Sequence, residues 1–190
     1  NYHCKENVIN KPTTAPQNKS KLQHLFANKW FVRLTNILFF IIMISAVMAW
    51  QSKDMLSTNG TVTIQQKNLV SLQGQVVPLL NNDKPNLIYF FAPWCQICSL
   101  SIGNLTYLNP DKVNIVVIAL DYSSTEEVIE FVNNHDVQST VLLGQNELKS
   151  QFAIQGYPSY YLLDKEHNVV SSSYGYSTAI GLKLRQAFGQ

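Results

Sequence analysis

Residues 87–98, Leu-Ile-Tyr-Phe-Phe-Ala-Pro-Trp-Cys-Gln-Ile-Cys, restrict the fold of this chain more than any other stretch. Leu87 to Ala92 is an apolar run of strand length, short and continuous enough to be buried. Two cysteines follow at i and i+3, opening a segment with helical spacing. Ile97, Ile102, Leu105 and Leu108 are expected on one broad face, and Asn109-Pro110 supplies a stop. Three residues of helix return a side chain to nearly the same face, so the sulfurs of Cys95 and Cys98 can meet without distorting the backbone. The first cysteine of such a junction sits at the positive end of the helix dipole, where free N–H groups favour thiolate over thiol. The arrangement predicts a reversible disulfide, with Cys95 facing solvent as the attacking thiol and Cys98 shielded one turn further in.

Strand, then Ala92-Pro93-Trp94-Cys95-x-x-Cys98, then helix resembles the thioredoxin superfamily, and within it the membrane-anchored TlpA-like thiol–disulfide oxidoreductases of the bacterial envelope. The likeness runs from about Thr61 to the C-terminus and includes Gly156-Tyr157-Pro158, just before the strand-like Ser159 to Leu163. It implies an α/β thioredoxin-like fold, a mixed central sheet between helices, with an N-terminal β-hairpin extension. It also implies that Cys95 and Cys98 are catalytic, and that Pro158 follows a cis bond and packs against the cysteine pair. Tyr157 then presents its backbone to an extended substrate, and Trp94 shapes the docking surface. Relatives of this kind often keep a buried acid six residues before the first cysteine, or one three residues after the second. Here those positions hold Tyr89 and Ser101, so no carboxylate stands ready to carry a proton to Cys98, and water or a more distant acid such as Asp121 is left to serve.

Charge is distributed unevenly. Lys5, Lys11, Lys19, Lys21, Lys29 and Arg33 supply six of the fourteen basic residues, against one acid, Glu6, in the same region; the remainder is slightly acidic. Residues 1–29 read as a basic, disordered tail. From Leu34 to Trp50 there is no charge, and Trp30 and Trp50 bracket the apolar stretch like interfacial anchors. A helix over 30–50 spans about 30 Å, one hydrocarbon core. The basic flank keeps residues 1–29 in the cytoplasm and sends the rest across, giving a single-pass protein of the inner membrane with its C-terminal domain in the periplasm or outside. A signal peptide cleaved after Ala49 is the competing reading, and it sends the domain to the same side.

Residues 51–60 read as a polar tether and 61–190 as the domain. In order, strands are expected at Thr61–Ile64, Leu69–Leu72 and Val76–Leu80, with a turn at Gly74-Gln75. Beyond the cysteine helix, Val113–Leu120 reads as a central strand. Ser123 to Asn134 reads as a helix with a cap and early acids, and Thr140–Leu143 as a strand. Glu147–Ala153 reads as a short helix, and Ser159–Leu163 and Val169–Ser173 as a hairpin about a polar turn. Thr178–Phe188 closes the chain as a helix marked by Ile180, Leu184 and Phe188.

Several functions are disfavoured. A domain this close to neutral has no electrostatic footprint for nucleic acid. Cys4 is a lone thiol, and no second cysteine pair stands ready to complete a zinc site. Ser99 occupies the place where haem attachment needs histidine, and His135 and His167 read as loop residues. No cofactor is expected. The partners expected are client proteins with thiols or disulfides and a membrane electron donor, with the domain itself monomeric. Between electron-flow directions, the resemblance favours a reductase. The alternative function is a non-catalytic binding module whose disulfide is structural.

Overall fold

The computed structural model describes residues 19–188, in two units that divide after Met48. The first contains most of α1 (Lys19–Ser52). Residues 29–47 of this helix are apolar enough to cross a membrane, and none of that window is buried. Large apolar side chains point outward all round it, from Trp30 and Phe31 to Ile44 and Val47. A helix that is apolar on every side has no stripe to bury against a core, which distinguishes it from an amphipathic surface helix. Of the expected disordered tail, 1–18 lie outside the described residues, and 19–29 are the first turns of α1.

The second unit is built on one seven-stranded sheet. Its strands are β1 (Asn68–Ser71), β2 (Val76–Pro78), β3 (Asn86–Phe91), β4 (Asn114–Ala119), β5 (Val141–Leu143), β6 (Ser159–Leu163) and β7 (Val169–Tyr174), in the spatial order β2-β1-β5-β4-β3-β6-β7. β3 pairs parallel with β4 and antiparallel with β6, so the sheet is mixed. All six residues of β3 and all five of β6 are buried, as continuous apolar strands covered on both faces must be. The helices are α2 (Gln96–Ser101), α3 (Thr125–Asn134), α4 (Asn146–Gln151) and α5 (Ala179–Phe188). On one face Phe91 stacks on Phe131 of α3, while Tyr89 reaches α2. On the other, Phe90 meets Phe152 just beyond α4, and Tyr161 donates its hydroxyl hydrogen to the Phe152 carbonyl at 2.6 Å.

This is the expected thioredoxin-like architecture with its N-terminal hairpin, β1 and β2 closing at Gly74 (φ +80°). Four local expectations change. Thr61–Ile64 alternates correctly, with Ile64 buried and Thr63 exposed, but makes one isolated bridge, Thr63 to Asn168, instead of a strand. Its partner chain turns away at His167 (φ +67°), so the ladder stops after a few bonds. The cysteine helix is shorter than expected and tightens into a 3-10 turn at Ile102–Tyr107. Its buried face runs through Cys98, Ser101, Ile102 and Leu105, leaving Ile97 half exposed, because positions 97 and 102 differ by five residues and lie well apart around a helix. In α5 the apolar spacing marks the outer face: Ile180 and Leu184 are exposed and Leu182 is buried. Finally, Met55 and Leu56 pack against the core and the Leu56 N–H reaches the Tyr161 hydroxyl, so the end of the expected tether is part of the folded unit.

Candidate active site

β3 ends at Phe91, and Ala92-Pro93-Trp94 carries the chain over the sheet's edge to Cys95, the N-cap of α2. Cys95 holds an extended backbone (φ −84°, ψ 105°), and its sulfur accepts the Cys98 N–H at 3.1 Å. A side-chain acceptor at an N-cap normally satisfies one of the orphan donors of the first turn; here a sulfur does so. Cys95 and Cys98 are joined in a disulfide, with Cα atoms 5.2 Å apart. Cys98 is wholly buried and Cys95 retains 7% exposure, so of the two sulfurs' residues only Cys95 reaches solvent.

Tyr157 and Pro158 lie in the loop before β6, and the bond between them is cis. Both are buried. Trp94 is 65% exposed, yet it is held at two points. Its indole N–H donates to the Asp121 carbonyl at 2.8 Å, and its ring meets that of Tyr157 edge-on at 5.8 Å. The structure therefore gathers Trp94, Cys95, Cys98, Tyr157 and Pro158 at the C-terminal end of β3 and the start of β6.

Beneath the cysteines the two positions without an acid are bonded to each other. The Tyr89 hydroxyl reaches the Cys98 carbonyl, as donor, at 3.2 Å and Ser101 Oγ at 3.0 Å, a bond in which either hydroxyl can donate. Burial raises the Tyr89 phenol far above its ordinary pKa, with the neighbouring Tyr160 adding to the shift and the Ser101 contact opposing it. Burial thus favours the neutral phenol at Tyr89. Asp121 does not take the acid's place either: its carboxylate is engaged by Lys149 of α4. Sequence reasoning missed that pair, since 28 residues separate its members and neither stands in a motif.

His135 caps α3 and packs against the Phe131 ring, and the His167 imidazole lies 3.4 Å from the Asn81 carbonyl. Neither approaches a metal-ligand cluster among the described residues. Cys4 lies outside them.

The Redoxin family model matches residues 57–186. A thioredoxin-like protein of Haemophilus influenzae is 28% identical over 134 residues, covering 67% of this chain and 77% of its own. Among solved structures, StoA from Bacillus subtilis superposes with a TM-score of 0.57 at 19% identity, covering 63% of this chain and 95% of its own. A secreted Mycobacterium tuberculosis disulfide oxidoreductase homologous to E. coli DsbE gives 0.58 at 18% identity, covering 65% and 96%. The chain belongs to the Redoxin family, as a thioredoxin-like disulfide oxidoreductase whose Cys95 and Cys98 stand at disulfide distance.

Proposed function

We propose that the protein is a membrane-tethered reductase of client disulfides that acts outside the cytoplasm through Cys95 and Cys98. The observation that carries the exchange chemistry is the sulfur of Cys95 at the head of α2, accepting a backbone N–H while its residue alone of the pair touches solvent; the reductase direction rests on the resemblance to TlpA-like proteins. In the reduced protein that N–H stabilises a thiolate in the same place. The Cys95 thiolate attacks one sulfur of a client disulfide and forms a mixed disulfide, releasing the other client sulfur as a thiolate. Cys98, deprotonated, then attacks the Cys95 sulfur and releases the second client thiol. The client has gained two electrons and the enzyme is left as the Cys95–Cys98 disulfide. A membrane thiol donor returns the two electrons.

Trp94, Tyr157 and Pro158 form the docking surface for an extended client segment. Among the described residues no backbone hydrogen bond engages the Tyr157 N–H or carbonyl, which supports this role. The apolar circumference of α1 and the basic residues before it support a retained anchor over 30–50, with 1–29 cytoplasmic. The domain boundary falls nearer 55 than 61, given the packing of Met55 and Leu56. One such domain works as a monomer.

Replacing Cys98 by alanine tests the cycle. The full-length variant, reduced and mixed with membrane extracts, is expected to accumulate mixed disulfides through Cys95, visible as bands that disappear on adding dithiothreitol. If none accumulates while Cys95 is open to alkylation, the cysteines do not exchange with clients and the disulfide is structural.

A further inference from the structure

Four side chains from four separate parts of the fold close a ring beside the cysteine pair. Trp94 comes from the turn before α2, Asp121 from the turn after β4, Lys149 from α4 and Tyr157 from the loop before β6. The Trp94 indole bonds the Asp121 backbone carbonyl, and the Asp121 carboxylate binds the Lys149 ammonium. Lys149 Nζ lies 5.9 Å from the centre of the Tyr157 ring, and that ring meets Trp94 edge-on. Asp121 holds a left-handed backbone (φ +50°), a conformation open to Asp and Asn at little cost; it lets the carbonyl and the carboxylate of one residue serve two different partners. The Tyr157 hydroxyl is buried, and the Asp121 carboxylate near it adds to the rise that burial gives its pKa. Trp94 is therefore fixed by its indole bond to the Asp121 carbonyl and by packing on the Tyr157 ring, and that ring is placed in turn by the Asp121–Lys149 charges beside it.

We propose that Asp121 and Lys149 are positioning residues that hold the Trp94–Tyr157 aromatic pair in place over the cysteines, and so govern the grip on protein clients without touching the sulfur chemistry. This rests on the reading of Trp94 and Tyr157 as client-contacting residues. A small disulfide such as oxidised glutathione needs only the Cys95 sulfur, whereas a folded client must lie against the aromatic pair. The ring thus acts on KM for proteins and leaves exchange with small disulfides alone. The Asp121–Lys149 pair is partly exposed, with side chains 27% and 36% accessible, so its effect is modest.

The experiment compares full-length wild type with Asp121→Asn, Lys149→Met and Lys149→Arg. Asn keeps the backbone conformation and the carbonyl for Trp94 while removing the charge. Met keeps the stem against Tyr157, and Arg restores the charge. Insulin reduction driven by dithiothreitol reports on a protein client, and the rate of the reduced protein with oxidised glutathione reports on the sulfur. Asn and Met are expected to raise KM for insulin about three- to tenfold with kcat retained. Lys149→Arg is expected to restore it, and all variants to match wild type with oxidised glutathione. Wild-type KM in both charge-removing variants overturns the proposal. An equal fall with insulin and glutathione overturns it too, since the pair then acts on the sulfur. If wild type itself reacts with neither probe, the reductase reading fails first and takes this inference with it.

Discussion

At the level of individual residues, one phenol braces the helix that carries the cysteines. Tyr89 occupies a wholly buried position on β3, and its hydroxyl bonds both Ser101 and the carbonyl of Cys98. Cys98 O also accepts the N–H of Ile102, where α2 gives way to the 3-10 turn, so the phenol reinforces the helix at its narrowest point. Gly144 illustrates a different constraint. A Cβ there would stand 2.7 Å from Leu120 Cδ2 and 2.9 Å from Ile118 Cγ2, with the Ala119 carbonyl behind at 3.2 Å. Both side chains are buried and have little room to withdraw. Gly144→Ala is therefore expected to lower unfolding free energy by about 1–3 kcal/mol, read from the denaturant midpoint at unchanged slope; an unchanged midpoint would show that the site has slack. Cys95, Cys98, Trp94 and Pro158 were legible because their neighbours in sequence form a motif. Asp121 with Lys149 was not, because their meeting depends on how the end of β4 faces α4. Gly144 was silent because a lone glycine does not say what crowds it.

Among the elements, β3 and β6 carry most of the burden. Tyr89 and Tyr160 pair across the two strands with rings 4.9 Å apart, and Tyr161 fills the opposite face. Burial raises the phenols of Tyr89, Tyr157, Tyr160 and Tyr161 above the ordinary value near 10, that of Tyr161 to about 12. The unfolded chain sheds these protons once pH passes 10 while the folded chain keeps them, so the stabilisation is intact below pH 10 and declines above it. Each such group adds a slope of about −1.4 kcal/mol per pH unit between its unfolded and folded values. Denaturant midpoints are expected to hold steady just below pH 10 and fall progressively towards pH 12, with the buried tyrosines' share of the tyrosinate absorbance at 295 nm appearing only on unfolding. Absorbance that rises fully while the protein stays folded would contradict this burial. The elements themselves were largely readable: the order strand, helix, strand, helix, strand, helix, strand, strand, helix from β3 onward follows the alternation of apolar runs and polar caps. Which face of a helix turns inward was less so. Four-residue spacing in α5 identifies a stripe through Ile180 and Leu184, but the sheet takes the opposite one with Leu182. The bridge at Thr63 shows the same limit, since alternation reports burial and cannot report how long the partner strand runs.

At the scale of the whole molecule, the sequence divides into a basic segment, an apolar helix and a domain. The fold of that domain was legible from one junction because a buried strand leading into Cys-x-x-Cys, with Tyr157-Pro158 later in the chain, leaves few other arrangements. Direction of electron flow is not written in the residues between the cysteines: Gln96 and Ile97 are both solvent-exposed and uncharged, and add no charge beside either sulfur. The Cys98 N–H stabilises a Cys95 thiolate and so the reduced form, which pulls the potential up, while the burial of Cys98 keeps its sulfur a thiol and gives the reduced form no second thiolate stabilisation of that kind. The most direct test is therefore the midpoint potential of Cys95–Cys98, titrated in dithiothreitol and glutathione buffers and read by alkylation of both thiols. A reductase is expected to give about −270 mV or lower. A midpoint near −120 mV would contradict the account, as would a pair that stays closed to alkylation after mild reduction.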